Sequence, residues 1–562
     1  MNYKTIFSST QEQNWTNINW SKVERVLESL QHRITKAAEC GDKKKVRRLQ
    51  QHLVHSYAAR LKAVRIVAQE NAGSPGIDGE VWTIPERKLQ AAQALRNRSK
   101  TKPLKRVYIP KSNGQRRGLG IPCMSDRASQ ALWNLALLPA VEAHSDLYSY
   151  GFRPYRGAWD ANAQIRRVLS KTNSPRWVLD ADIEKCFDNI HHDWLLENTP
   201  MDQILLKSWL KAGYLEGDRL YPTETGTPQG GIISPTLANL TLNGLEKHIS
   251  DNFRPGYELI ASGYRSKRVT KLNVIRYAND FIVTGQSPRQ LERVKISINE
   301  FLKPRGLKIN EAKTQICSIT TGFDFLGWTF RKYADDTLLC TVSKKSVRRH
   351  WKELKHLIKT APNPGIMVTK LNQKIRGWQN YHRCCNDIWK VWSSTNHYVY
   401  LRLARWTSKR HPRKTKLWIY NKYWPKKTNR RKFTIVWQGR TYTLHLHNAR
   451  QDRSMIGLSG KTNVFDLQNK SLIRQKQTLK GSNLNKRKTA LWQRQKGICP
   501  VCNTLMIPDC GANLDVHHVI PKSLVTCHGK FNFASRTLPL CHTCICCSSC
   551  LSRMHREVHV RI

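Results

Sequence analysis

Carboxylates at the ends of strands are the residues in this chain best placed to do metal chemistry. Arg176-Trp-Val-Leu-Asp-Ala-Asp182 reads as a strand that delivers Asp182 at its end. Val274-Ile-Arg-Tyr277 and Phe281-Ile-Val283 flank Ala278-Asn279-Asp280, which predicts a hairpin with Asn279 and Asp280 at its tip. Oxygen-rich groups of this kind suit hard divalent cations. A second kind of chemistry is written near the other end, where Cys499 and Cys502 stand two residues apart, the spacing of one half of a tetrahedral zinc site. Cys541 and Cys544 are the favoured other half, although Cys544/Cys547 and Cys547/Cys550 have the same spacing.

These groups need rigid elements to hold them. Val23, Val26, Leu27, Leu30 and Ile34 fall on one face of a helical lead-in that runs from Trp20 to about Glu70. The glycines and proline of 71–79 then predict a loop. Between about Arg106 and Phe330, β-rich runs alternate with helical ones, as in an α+β domain. Ser287-Pro288 starts a helix, Gln290 completes a capping box, and Leu291, Val294, Ile298 and Phe301 share its apolar face until Gly306. From about Ser343 to Arg450 the chain is aromatic and basic, with helices dominating the first half and most tryptophans in the core.

The 95 Lys+Arg against 40 Asp+Glu give a net charge of +55, spread along the chain, which points to a polyanion. No run approaches the roughly 18 apolar residues of a spanning helix, and the N-terminus lacks the apolar centre of a signal peptide, so nucleic acid is the expected partner and a membrane is not. Nine of the 16 cysteines lie between Cys499 and Cys550, a local device that argues against a secreted disulfide framework. The other seven read as reduced thiols among apolar neighbours.

The ordered company of these motifs carries a family resemblance. Arg176–Asp182, Gly226-Thr-Pro-Gln-Gly-Gly-Ile-Ile-Ser-Pro235, Tyr277–Asp280, Gly306-Leu-Lys-Ile-Asn-Glu-Ala-Lys313-Thr314 and Phe323-Asp-Phe-Leu-Gly-Trp328 resemble the successive palm motifs of group II intron reverse transcriptases. The resemblance implies that Asp182, the Ile183 carbonyl and Asp280 hold Mg²⁺, that Phe187 excludes a 2′-hydroxyl, and that Gln229, Gly230 and Lys313 contact nucleotide. Glycine at 230 is expected to let the backbone approach the substrate. Val107–Pro122 is similar to the family's fingers hairpin, whose matching residues Lys111 and Arg117 clamp the triphosphate. Ser149-Tyr-Gly-Phe-Arg-Pro154 continues the pattern and makes Arg153 a candidate template or phosphate contact.

Lys370-Leu-Asn-Gln-Lys-Ile-Arg-Gly-Trp-Gln-Asn-Tyr381 resembles the thumb, or domain X, of group II intron maturases, with Arg376, Trp378 and Tyr381 as RNA-binding candidates. Leu491–Cys502 followed by Asp515-Val-His-His-Val-Ile-Pro-Lys522 resembles the HNH endonuclease of the same proteins, in which His517 would ligate the nuclease Mg²⁺ and His518 serve as general base. The closing residues stay open: Asn532 stands nearest the expected Asn, and His542, His555 or His559 could be the last His.

One departure matters. Active members carry Tyr-Ala-Asp-Asp at the hairpin tip, whereas Asn279 stands here, and an amide adds no negative charge to a hard-cation site. The loss of several kcal/mol predicts roughly a thousandfold slower polymerisation at about 1.36 kcal/mol per decade.

The expected architecture is therefore a right-hand polymerase with helical extension (1–340), a helical thumb (341–450), a basic DNA-binding segment or linker (451–490) and a zinc-bound ββα HNH module (491–562). The expected function is an intron RNA-binding splicing factor that inserts its intron into target DNA by target-primed reverse transcription from dNTPs, with polymerisation impaired by Asn279. A fully active polymerase and a maturase with both sites decayed are the rivals. A bacterial cytoplasmic ribonucleoprotein at the nucleoid is expected ahead of an organellar matrix.

Overall fold

The computed structural model describes residues 14–473, apart from 71–73, 97–99, 111–113, 115, 229, 254–256, 260–264, 268–270, 426–430 and 449–456, together with Lys476 and two strands at 515–518 and 537–540. The amphipathic lead-in forms α1 (Trp20–Glu39), α2 (Lys43–His55) and α3 (Tyr57–Glu70), followed by α4 (Pro85–Ala94). Asn19 and Asp42 cap the first two by accepting from the amides of Lys22 and Lys45, groups that have no partner inside the helix. Strands β1 (Leu104–Pro110) and β2 (Arg116–Ile121) make the fingers hairpin. Next, α5 (Met124–Ala143) serves as a spine between two cores. Ala128, Leu132 and Ala136 pack on α1–α3, while Trp133, Leu137 and Val141 enter the palm.

The palm continues with α6 (Ala158–Leu169), β3 (Trp177–Asp182), α7 (Cys186–Asn189), α8 (His192–Asn198), α9 (Gln203–Leu210), β4 (Tyr214–Glu216) and β5 (Arg219–Tyr221). Strand β4 runs parallel to β1, which extends the fingers sheet to the order β2-β1-β4-β5. After α10 (Ser234–Leu242), α11 (Leu245–Asn252) and a ribbon of β6 (Tyr257–Leu259) and β7 (Arg265–Lys267) come β8 (Asn273–Tyr277), β9 (Asp280–Gly285), α12 (Pro288–Leu302) and β10 (Gln315–Ser318). The palm sheet has the order β10-β3-β9-β8 with antiparallel neighbours. Strand alternation divides its side chains: Leu179, Ala181, Phe281 and Val283 face the α12 core, and Val178, Ile275 and Ile282 face α6.

A three-stranded sheet of β11 (Phe323–Phe325), β12 (Trp328–Lys332) and β13 (Leu338–Val342) leads to the thumb: α13 (Lys344–Thr360), α14 (Pro364–His382), α15 (Ile388–Arg410), α16 (Lys416–Tyr423) and the hairpin β14 (Thr434–Trp437)/β15 (Arg440–Thr443). Near the end, β16 (Asp515–His518) pairs antiparallel with β17 (Thr537–Leu540). Among the described residues no helix is long and apolar enough to cross a membrane.

Three local expectations are refined. The hairpin turn is only Ala278-Asn279, and Asp280 is already a strand residue opposite Tyr277. Ala278 has φ +58°, the left-handed turn geometry that a two-residue connection demands. The Ser287 hydroxyl caps α12, yet Gln290 reaches back to the amide of Gln286 rather than to that of Ser287, so the capping box is displaced by one residue. Residues 458–473, expected as linker, carry a small core of Leu458, Val464 and Ile473 and lie docked on the N-terminal helices.

Candidate active site

Strands β3 and β9 place Asp182 directly opposite Asp280, and the turn sets Asn279 beside both. Asn279 Nδ2 donates to Asp182 Oδ1 at 2.8 Å, and Lys313 Nζ donates to Asp182 Oδ2 at 2.6 Å. Turning the amide over would set oxygen on oxygen, so the carboxylate selects the orientation with NH₂ inward. The backbone continues the contact: the Asn310 amide donates to the Asp182 carbonyl and the Glu184 amide to Lys308, which brings Ile183 opposite Ile309.

Charge crowding follows from this geometry. Asp280 is open to solvent on one side, yet the palm withdraws water from its carboxyl and pushes its pKa up to about 6; the Asp182 charge adds to the rise and Lys313 opposes it. Asp180, two residues before Asp182 on the same strand face, is also raised to about 6, chiefly by desolvation, with a Gln315 hydrogen bond opposing. Asp180 was not anticipated as part of the site, although period-two spacing along the strand was available to find it.

As ligands for a hard cation, this set offers Asp182, Asp280 and the Ile183 carbonyl. Both Asp182 oxygens already accept from nitrogen, and Asn279 presents hydrogens where a third carboxylate would present lone pairs. Among the described residues no three His, Cys, Asp or Glu side chains are gathered to hold a metal. The residues as they stand do not fit a pair of divalent ions.

Between fingers and palm lies a cleft lined by Arg106, Gly120, Phe187, Tyr214, Gly226 and Thr227. The 226–227 loop is pinned to the segment after β3 by hydrogen bonds, the Gly226 amide donating to the Ile190 carbonyl and the Thr227 amide to the Phe187 carbonyl. Gly230 adopts φ +123°, and a Cβ there would come within 2.6 Å of the Gly120 carbonyl. Glycine is thus required at 230 by contact with β2, a different reason from the expected approach to substrate. Arg117 is exposed on β2 opposite Ile109. Lys111 and Gln229 lie outside the described residues.

Arg153 does not face the cleft. It is buried, forks onto Glu142 at 2.8 and 2.6 Å, and donates to the carbonyls of Asp146 and Ser149. The expectation of a template or phosphate contact is therefore corrected: its donors are spent on a buried carboxylate and two carbonyls. Beneath the hairpin, the wholly buried Arg276 donates to Asn239 and Asn243, an anchor that sequence spacing did not reveal.

In the thumb, the Trp378 ring stacks on His350 at 4.2 Å and meets Trp392 edge-on. Tyr381 stacks on Trp328 at 4.6 Å and its hydroxyl donates to the Leu326 carbonyl. Of the three RNA-binding candidates, Arg376 and Tyr381 both reach the surface, Tyr381 with its ring stacked on Trp328, while the Trp378 ring is half-buried and engaged within the fold. Lys344, Lys345, Arg348, Arg349, Lys352 and Lys355 form an exposed basic face on α13, opposite its buried His350, Leu354 and Ile358. His517 and His518 sit on β16; Cys499, Cys502, Cys541 and Cys544 lie outside the described residues.

Comparison with known proteins adds the following. Residues 109–330 match the family described as reverse transcriptase (RNA-dependent DNA polymerase), 15–95 match the N-terminal domain of reverse transcriptase, and 344–424 match the group II intron maturase-specific domain. Protein YkfC of Escherichia coli is 28% identical over 323 residues, covering 51% of this chain and 85% of that protein. The group II intron-encoded protein LtrA of Lactococcus lactis is 31% identical over 294 residues, covering 42% of this chain and 48% of LtrA, so the match spans about half of that relative's length. Maturase-like protein 1 of Euglena gracilis is 26% identical over 387 residues, covering 66% of this chain and 77% of that protein.

Proposed function

We propose that this chain, which carries a reverse-transcriptase domain followed by a group II intron maturase domain, works chiefly as an RNA-binding splicing factor whose polymerase cleft is chemically weakened. The observation that carries this reading is the contrast between an exposed basic face on α13 and a cleft where Asn279 and Lys313 occupy the Asp182 carboxylate. A maturase needs no side-chain chemistry if the intron RNA is the catalyst: cations track phosphate and shape complementarity holds the RNA fold. Binding should therefore fall steeply with salt. Intron RNA affinity and splicing, measured across a salt series, test this. A salt-independent affinity, or splicing unaffected by the protein, would overturn it.

Reverse transcriptases generally use Mg²⁺, which stabilises the attacking and leaving oxygens of phosphoryl transfer. In our reading Asp182, Asp280 and the Ile183 carbonyl are the remnants of that site, Phe187 guards the sugar, and Lys111, Arg117, Gln229, Gly230 and Lys313 surround the dNTP. The C-terminal module is proposed as an HNH endonuclease acting on target DNA during intron insertion, with Zn²⁺ on Cys499, Cys502, Cys541 and Cys544, His517 as metal ligand and His518 as base. Chelation should unfold that module, and His518→Ala should keep its zinc while abolishing cleavage of target DNA. Protein prepared without stoichiometric zinc would refute the structural half. We place the protein in a bacterial cytoplasm as a ribonucleoprotein, a proposal that fractionation would test.

A further inference from the structure

The segment after the thumb returns to the polymerase and closes on a single buried side chain. Arg156, whose side chain is wholly buried, donates to the carbonyls of Leu458 (3.5 Å), Ser459 (3.2 Å), Gly460 (3.4 Å) and Thr462 (3.0 Å). Its Nε lies 3.7 Å from Glu142, the carboxylate that Arg153 forks onto. Further along, Lys476 pairs with Asp160 at 2.5 Å with both side chains 8% exposed, and Asp160 also caps the Gly157 amide at the start of α6. On the far side, Asp466 pairs with Lys36 and Lys470 with Glu28, which ties the same segment to α1.

The loop that Arg156 terminates touches the cleft. The Tyr150 amide donates to the Arg276 carbonyl and the Arg276 amide to the Tyr148 carbonyl, so Ser149 makes an isolated parallel bridge to β8 at Arg276. A Cβ on Gly151 would overlap the backbone nitrogen of Ala278, so this loop is pressed against the turn that carries Asn279. Asn239, itself held by Arg276, donates to the Gly151 carbonyl at 2.9 Å. Phe152 then stands at φ +59°, a region that a bulky residue occupies only when its surroundings force it. The residue is 50% exposed, and its ring meets that of Phe187 edge-on at 6.1 Å. A strained, half-exposed aromatic beside the cleft, fixed on both sides by buried arginines, is a presented group rather than core filling.

We propose that residues 458–473 together with Lys476 form a clasp on the polymerase, and that Arg156 is a positioning residue through which the clasp sets the Gly151-Phe152 loop against the hairpin turn and Phe187. The consequence for nucleotide binding rests on the reading of the cleft given above; the mechanical coupling does not. Loosening the clasp frees the loop, and the loop frees the turn.

Amide hydrogen exchange on the full-length protein tests the coupling. Arg156→Met should raise exchange in 148–155 and 276–279 about tenfold or more, as expected when charge-assisted hydrogen bonds are lost, while α5 and α6 stay protected. Arg156→Lys, which keeps the charge but not the fork, should fall between the two. If Arg156→Met fails to fold, the double variant Asp466→Asn/Lys470→Met loosens the clasp from its exposed side and should raise exchange in the same two palm segments by a smaller factor. Exchange that rises only within the clasp, or equally through α5 and α6, overturns the proposal. In an Asn279→Asp background the same clasp variants should raise KM for dNTP more than they lower kcat. An inert Asn279→Asp protein would reject the reading of the cleft and leave the exchange result to decide the clasp.

Discussion

The palm and the thumb use residues of similar chemical promise in opposite ways. In the palm, Asp182, Asn279 and Asp280 stand at and beside strand ends, where polar side chains, the first two half-buried and the third exposed, meet one another. In the thumb, Trp378 and several histidines that could have stacked on RNA bases are folded inward: His350 and His447 meet at 3.0 Å with Trp378 and Trp392 packed around them. The difference teaches that aromatic content in a basic region does not measure binding surface. The apolar rings supply the burial that a helical thumb needs, and the exposed Lys and Arg around them are left to meet a polyanion.

The sharpest break of the comparison is in the palm. Asn279→Asp replaces a hydrogen donor to Asp182 by a third carboxylate, and primer extension should rise by roughly a thousandfold, since several kcal/mol of transition-state stabilisation is at stake. Splicing should hardly change. Robust Mg²⁺-dependent extension by the unmodified chain would contradict this account, as would a variant that stays inert.

In the thumb, the expected response to mutation is structural. Trp378→Ala should destabilise the domain by about 3–5 kcal/mol, the range for a large aromatic removed from a packed site. Thermal unfolding should register that loss, and an unchanged melting temperature together with lost RNA affinity would restore Trp378 as a contact residue.

Acid should divide the two regions further. Burial pushes His350, His382 and His447 down to about 3 from 6.5, so between those values the unfolded thumb binds more protons than the folded one. Thumb stability is therefore full above about pH 6.5 and declines as pH falls toward 3. Asp180 and Asp280 have the opposite sign. Their folded pKa values near 6 lie above 3.8, so their contribution is fully present below about pH 4 and is lost as pH rises through 6. Amide exchange followed from pH 7 to pH 4 should show α13–α15 loosening before β3 and β9; simultaneous loosening would remove the distinction.

The smallest effect belongs to Arg376. As an exposed cation on α14, Arg376→Ala should weaken intron binding by up to about tenfold through the loss of one phosphate contact, with no change in melting temperature. A binding isotherm at two salt concentrations is enough to see it, and a flat response would make the residue a bystander.

Much of this molecule was legible from local spacing. The helical lead-in, the strand ending at Asp182, the hairpin at 277–280 and the Ser287 cap all report geometry set within a few residues, where sequence period and turn chemistry act directly. The order of motifs and the surplus of charge pointed to a polymerase-like, RNA-binding chain. What sequence alone left undecided was which donor meets which acceptor across hundreds of residues. Arg153 looked available for a phosphate, yet it is consumed by Glu142, and Arg156, three residues on, is consumed by carbonyls about 300 residues later. The same holds for the Tyr381 ring on Trp328, for Lys313 on Asp182, and for Gly230 against Gly120. Each of those pairings depends on how sheets and helices pack, and packing is settled by the whole buried surface at once, so no local pattern announces it.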